Sequence, residues 1–190
     1  VNMGAAAAMA FDSARAVWDQ AADMPEFAGD RLDRAVFPPP AFTDEERAVQ
    51  AKNVTEMATA QPSIAAVSLG YMSLLDQIGI KPDAAAGHSF GELSALAAAG
   101  RIPSTKLLVS ARKRGEFMAE AASTQAGAMI AVRSDADTIS ALIDETSGVV
   151  VANDNAPNEV VIAGSVESID AFAAKLKESG MRSIRLPVAS

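Results

Sequence analysis

The stretch that most constrains this chain is Gly87-His88-Ser89-Phe90-Gly91, a Gly-x-Ser-x-Gly pattern. The pattern suits a strand that turns sharply into a helix, with the serine exposed at the bend. The flanking residues supply that context. Asp83-Ala84-Ala85-Ala86 reads as a short buried strand, and Glu92 to Ala99 as a strong helix former ended by Gly100. Gly87 and Gly91 are expected to leave room where side chains would collide with the turn. The helix N-terminus then lies beneath Ser89, where backbone N–H groups, that of Phe90 first, can stabilise a developing oxyanion.

Composition narrows the function classes. The 190 residues are 49% apolar with few aromatics, enough for a sizeable core built on close helix packing. A net charge of −8 speaks against nucleic-acid binding, which needs a basic footprint. There is no cysteine, hence no disulfide framework, thiolate nucleophile or cysteine zinc site. Residues 1–10 lack the basic start of a signal peptide, and no run is long enough to cross a membrane. The expectation is a cytoplasmic chain with no membrane partner and no metal.

Taken in order, residues 4–22 read as one alanine-rich helix with Trp18 in the core. Asp30 to Pro40 reads as a loop, because Pro38, Pro39 and Pro40 forbid a helix there. Thr43 and Glu46 form a capping box for a helix running to about Ala60. Pro62 is expected to open the next helix, with Ile64, Val67, Tyr71, Leu74, Leu75 and Ile78 on one inward face before Gly79. Pro103 and Ser104 start a helix to about Ala122, which carries Arg112, Lys113 and Arg114.

From Gly127 the pattern changes. Ala128–Val132 reads as a strand and Asp135–Thr146 as a helix with Ile139, Leu142 and Ile143 inward. Val149–Ala152 and Val160–Ala163 read as strands joined by a loop over 153–158. Ser165 caps a helix through Ser179, ended by Gly180, and Ser183–Val188 is a last strand. The order βαββαβ is the ferredoxin-like signature. The expected fold class is therefore α/β: a partial α/β-hydrolase-like large subdomain over 1–126, carrying the elbow, and a ferredoxin-like small subdomain over 127–190.

The segment Gly-His-Ser-Phe-Gly-Glu-Leu-Ser-Ala-Leu, residues 87–96, resembles the active-site segment of malonyl-CoA:acyl-carrier-protein transacylases and of the acyltransferase domains of polyketide and fatty-acid synthases. With Phe90 and the preceding Pro82-Asp83-Ala84-Ala85-Ala86 it is most similar to iterative synthases, the polyunsaturated-fatty-acid and enediyne types. The resemblance implies acyl transfer by covalent catalysis. Ser89 would take a malonyl-type acyl group from CoA and pass it to the phosphopantetheine thiol of an acyl carrier protein. It implies neighbouring synthase domains as partners and no cofactor beyond these substrates.

Further residues follow from the resemblance. Arg114-Gly115-x-x-Met118 resembles the segment whose arginine pairs with the free carboxylate of a malonyl group, a task suited to the guanidinium fork; otherwise Arg112 to Arg114 is a solvated basic face. Gln61-Pro62 resembles a Gln-Pro at the active-site edge, with an ordinary helix junction as the alternative. Asn155-x-Pro157 resembles a stretch near the acyl pocket, although an Asn in a loop commonly just makes a turn. In the family a Gly-Gln-Gly-Ser-Gln loop precedes a segment like Asn2-Met3-Gly4, and a catalytic histidine follows a segment like Leu186-Pro187-Val188. Neither is present, so the chain is expected to be part of a larger domain, with an apolar face left exposed. His88 borders Ser89 on the elbow and is expected to pack there beside the substrate, not to act as its base. A serine hydrolase and a non-catalytic docking fragment are the rival readings.

Overall fold

The computed structural model describes residues 1–124, 127–144 and 146–186. The chain divides into two compact units, Val1–Ala119 and Glu120–Ser190. It mixes helix and sheet, as the expected α/β class requires. Among the described residues every strand lies in the second unit.

The first unit begins with α1 (Ala5–Ala10) and α2 (Asp12–Asp23), not one continuous helix. The break is Phe11, whose backbone is extended at φ −134° and ψ 124°. Arg15 compensates: its guanidinium donates to the carbonyls of Ala8 (3.2 Å) and Met9 (3.4 Å), released where α1 ends. Trp18 is buried as expected and meets Phe37 edge to face at 4.7 Å. The loop expected over 30–40 contains a short helix, α3 (Leu32–Val36), ahead of the prolines. Its driving force is the buried pair Leu32 and Val36, four residues apart on one face.

Helix α4 (Asp44–Thr55) starts at the expected capping box. Thr43 accepts from Glu46 N–H, and the Glu46 carboxylate accepts from Thr43 N–H. It stops earlier than the expected Ala60. The Thr55 hydroxyl donates to the carbonyls of Ala51 and Lys52, and Glu56 turns extended.

Helix α5 (Met57–Gln77) then begins five residues before Pro62, which lies inside it. A proline there has no N–H for the carbonyl four residues back, which is that of Ala58. Arg112 fills the gap, donating from Nη1 to the Ala58 carbonyl at 3.2 Å. The inward face of α5 also differs from expectation. Ala65, Ala66, Leu69 and Gly70 are buried, whereas Ile64, Tyr71, Leu75 and Ile78 are exposed. Small residues let α2 and α5 approach closely: a Cβ placed on Gly70 would already touch the Ala14 Cβ at 3.5 Å. Of the expected inward stripe, Val67 does pack against the core.

Asp83–Ala86 is exposed and forms no ladder, contrary to the expected buried strand. A strand exists only by pairing, and no described strand lies in this unit. The chain then turns into α6 (Gly91–Ala98), followed by Gly100 at φ +68°. Helix α7 (Ser104–Thr124) comes next. Phe27, Leu32, Val36, Ala66, Leu107 and Leu108 are among the residues forming this unit's core.

In the second unit, β1 (Gly127–Val132), α8 (Ala136–Ser140), β2 (Val149–Ala156), β3 (Glu159–Ser165), α9 (Val166–Glu178) and β4 (Ser183–Arg185) run in the expected order. The sheet order is β2-β3-β1-β4 with every pairing antiparallel. That is the ferredoxin-like arrangement. Side chains alternating along β1 pack with Ile139, Ile162, Ile169 and Phe172. Helix α8 is shorter than expected because Asp144 accepts from both the N–H and the hydroxyl of Thr146, favouring a turn. β2 extends through the expected loop as far as Ala156, with its register shifted at two points. Asn155 therefore stands on a strand, at an irregularity, and not in a loop. Leu186 N–H still bonds to the Met129 carbonyl, and the expected strand residues Pro187 and Val188 lie outside the described residues.

Candidate active site

The elbow is a strained turn held by its neighbours. Ser89 has φ +54°, in the left-handed region that a non-glycine residue enters at a cost of about 1–3 kcal/mol. Three bonds close the turn: Gly91 N–H to the His88 carbonyl (2.8 Å), Glu92 N–H to Ser89 (3.2 Å) and Leu93 N–H to Phe90 (3.0 Å). The Phe90 N–H precedes that ladder, among the first N–H groups of α6, which have no carbonyl one turn back. The Phe90 side chain is buried in the core and anchors the turn from below, while Ser89 is exposed.

Of the two glycines, Gly87 carries the steric requirement. A Cβ there would run into the backbone of Gly91 and Glu92. A Cβ on Gly91 meets nothing within 4 Å, so the room expected at both positions is needed only at the first. Gly91 instead supplies the backbone that Gly87 must clear.

The second component comes from α5 and α7. Gly115, in the middle of α7, lies so close to α5 that a Cβ would strike the Met57 carbonyl and approach the Ala58 Cα at 2.8 Å. That approach brings Arg114 to Gln61. Arg114 donates from Nη1 to Gln61 Oε1 at 2.8 Å and from Nη2 to Ser89 Oγ at 3.4 Å. Gln61 is only 4% exposed, and its amide N–H group donates to the Met118 thioether at 3.1 Å. The structure thus brings together Ser89, Arg114 and Gln61, three residues far apart in the chain. Gln61 lies inside α5, not at a helix junction.

The three basic residues of α7 have different surroundings. Arg112 is clamped: Nη1 bonds Asp30 (3.1 Å), Nε bonds Glu116 (2.9 Å), and the guanidinium lies 5.9 Å from the Phe27 ring centre. Burial pulls its pKa down, but the hydrogen bonds and charges of Asp30 and Glu116 outweigh it, so the net shift is upward. Lys113 bonds Glu116 at 2.8 Å, and with Arg112 it holds the Glu116 carboxyl below its usual range. No carboxylate pairs with Arg114 among the described residues. A half-buried guanidinium oriented by a neutral amide is chemically suited to receive a carboxylate from outside.

Two candidates remain. His88 is exposed, and its carbonyl closes the elbow turn. Asn155 is exposed on β2 of the second unit. Among the described residues no group of three His, Cys, Asp or Glu could hold a metal ion, and no helix is long and apolar enough to cross a membrane. Gly115 is the site-building residue with the least obvious role in the sequence. Its signal is a glycine inside a strong helix pattern, unfavourable by about 1 kcal/mol unless close packing requires it.

A left-handed serine on a tight turn into a helix, with its flanking glycine forced by sterics, defines a nucleophile-elbow protein. The chain belongs to the acyl transferase domain family, whose family model matches residues 2–190. It is 37% identical over 137 residues to the malonyl CoA-acyl carrier protein transacylase of Bacillus subtilis, an alignment covering 70% of this chain and 43% of that protein. It is 34% identical over 160 residues to a polyunsaturated fatty acid synthase chain of Thraustochytrium, covering 83% of this chain and 6% of the synthase. The crystal structure of the malonyl CoA-acyl carrier protein transacylase from Clostridium perfringens superposes with a TM-score of 0.84 at 28% identity. That match takes in 100% of this chain and 57% of the other. The chain therefore spans less than two thirds of these relatives.

Proposed function

We propose that this chain is the serine-bearing part of an acyltransferase that moves a malonyl-type acyl group from CoA to the phosphopantetheine thiol of an acyl carrier protein, in polyketide or fatty-acid synthesis. The observation that carries this reading is the 3.4 Å approach of the Arg114 guanidinium to Ser89 Oγ at a strained elbow. The names of the relatives point to the same substrates.

Ser89 Oγ attacks the thioester carbonyl, forming the Oγ–C bond while its proton passes to a general base. The oxyanion is met by the Phe90 N–H. Collapse breaks the C–S bond, and CoA leaves as a thiol carrying the proton. The carrier's phosphopantetheine thiol then attacks the acyl-serine and reverses these steps. Arg114 holds the free carboxylate of the acyl group, which directs the thioester carbon toward Ser89. We assign the base to a histidine in the part of the domain that these 190 residues do not span. His88, the single histidine here, is Ser89's chain neighbour and belongs to the turn itself. Other domains of the same synthase and a cytoplasmic location go with this reading, and no cofactor is required for it.

Incubating the intact domain with malonyl-CoA should add one malonyl group to the peptide containing Ser89. Labelling that persists in Ser89→Ala refutes the assignment, and release of the label to water faster than to a carrier thiol favours a hydrolase.

A further inference from the structure

We propose that Met118 is a positioning residue for acyl-group selection, acting through the Gln61 amide on Arg114. This rests on the functional reading above. Arg114 can only donate, so Gln61 must turn its oxygen toward Nη1, the 2.8 Å contact. The amide nitrogen then faces the other way, into two thioethers: Met118 Sδ at 3.1 Å and Met57 Sδ at 3.9 Å. Thioethers accept and do not donate. Donors and acceptors match in this orientation and clash in the flipped one, where Gln61 N–H would confront guanidinium N–H and Gln61 oxygen would confront sulfur.

Gln61 is buried, so water is poorly placed to replace a lost acceptor. Met118 lies four residues after Arg114 on α7, one helical turn along the same face. The helix that carries the guanidinium thus also carries the group that orients its amide partner. Gly115 lies between them and lets α7 come close enough to α5 for both contacts. The chain Met118–Gln61–Arg114 fixes where the guanidinium points, and hence where an acyl carboxylate is held relative to Ser89.

The test compares malonyl-CoA and acetyl-CoA loading of Ser89 in the full-length protein. Met118→Leu keeps the volume and removes the acceptor. It should lower the malonyl-to-acetyl loading ratio about fivefold, the scale of one hydrogen bond; the stability lost with the Gln61 acceptor is shared by both acyl groups and cancels in the ratio. Met118→Gln restores an acceptor oxygen and should recover most of the ratio. In an Arg114→Ala background, Met118→Leu should change the ratio no further, because the effect passes through Arg114.

An unchanged ratio in Met118→Leu, or equal losses in Leu and Gln variants, overturns the proposal. If Met118→Leu does not fold, Met118→Gln decides alone, and a folded Gln variant as unselective as Arg114→Ala overturns it. A wild-type protein that loads no malonyl on Ser89 refutes the functional reading itself.

Discussion

Replacing Arg114 by alanine separates recognition of the acyl group from support of the fold. The guanidinium is half-buried, makes one strong bond to Gln61 and reaches Ser89 at 3.4 Å in an exposed position. Removing one partner of a hydrogen-bonded charge pair costs about 2–5 kcal/mol. Because the Ser89 side of Arg114 is open to solvent, the lower end applies, about 2 kcal/mol or roughly a thirtyfold loss of malonyl loading. The substitution also strands the buried Gln61 oxygen, a penalty of about 1–3 kcal/mol. That second effect lowers Tm and is shared by every acyl group, so it cancels in a ratio. The assay is a short pulse of malonyl-CoA or acetyl-CoA, with the Ser89 peptide quantified by mass spectrometry. Malonyl loading should fall about thirtyfold with acetyl loading spared. Arg112→Ala is the control: it breaks the bonds to Asp30, Glu116 and the Ala58 carbonyl beside Pro62. It should lower Tm and leave the ratio alone. Equal losses of malonyl and acetyl loading in Arg114→Ala would refute the reasoning.

Other consequences follow from the same geometry. Gly87→Ala forces a Cβ into the Gly91 backbone and should destabilise by about 3 kcal/mol or more; denaturant unfolding checks this, and a neutral result contradicts the tight turn. Ser89→Gly relieves a left-handed strain that Ser89→Ala retains, so the glycine variant should be the more stable by about 1 kcal/mol in the same assay. Thr43→Ala removes a capping box and should cost about 1 kcal/mol, read as a lower urea midpoint. Asp33 accepts two hydrogen bonds from Arg31, which hold its folded pKa below the usual carboxylate value. A depressed carboxylate contributes stability that is complete above its unfolded pKa of about 3.9 and is lost as pH falls through the lower folded value. Stability measured across that acid range should lose part of its slope in Asp33→Asn.

Much of this protein is written locally and is legible in the order of its residues. The Thr43–Glu46 box, the Ser165 cap on α9, the stops at Gly100 and Gly180, and the order of strands and helices from Gly127 each depend on residues within a few positions of one another. The elbow is local too, since Gly87, Ser89 and Phe90 set its dihedrals and its anchor. Which faces meet is a different matter, settled only when the chain folds. Periodicity places the large side chains of α5 inward, yet Ala65, Ala66 and Gly70 are buried, because α2 approaches where side chains are small. Pro62 stands inside a helix and not at its start, because Arg112, from α7, bonds the Ala58 carbonyl that the proline leaves unmet. Asp83–Ala86 has the composition of a strand and no ladder, because pairing is a property of two segments. The site follows the same division: Ser89 is marked by its own motif and Arg114 by its segment. Their meeting through Gln61 depends on Gly115 letting α7 close on α5, a contact between residues more than fifty positions apart that local sequence pattern does not encode.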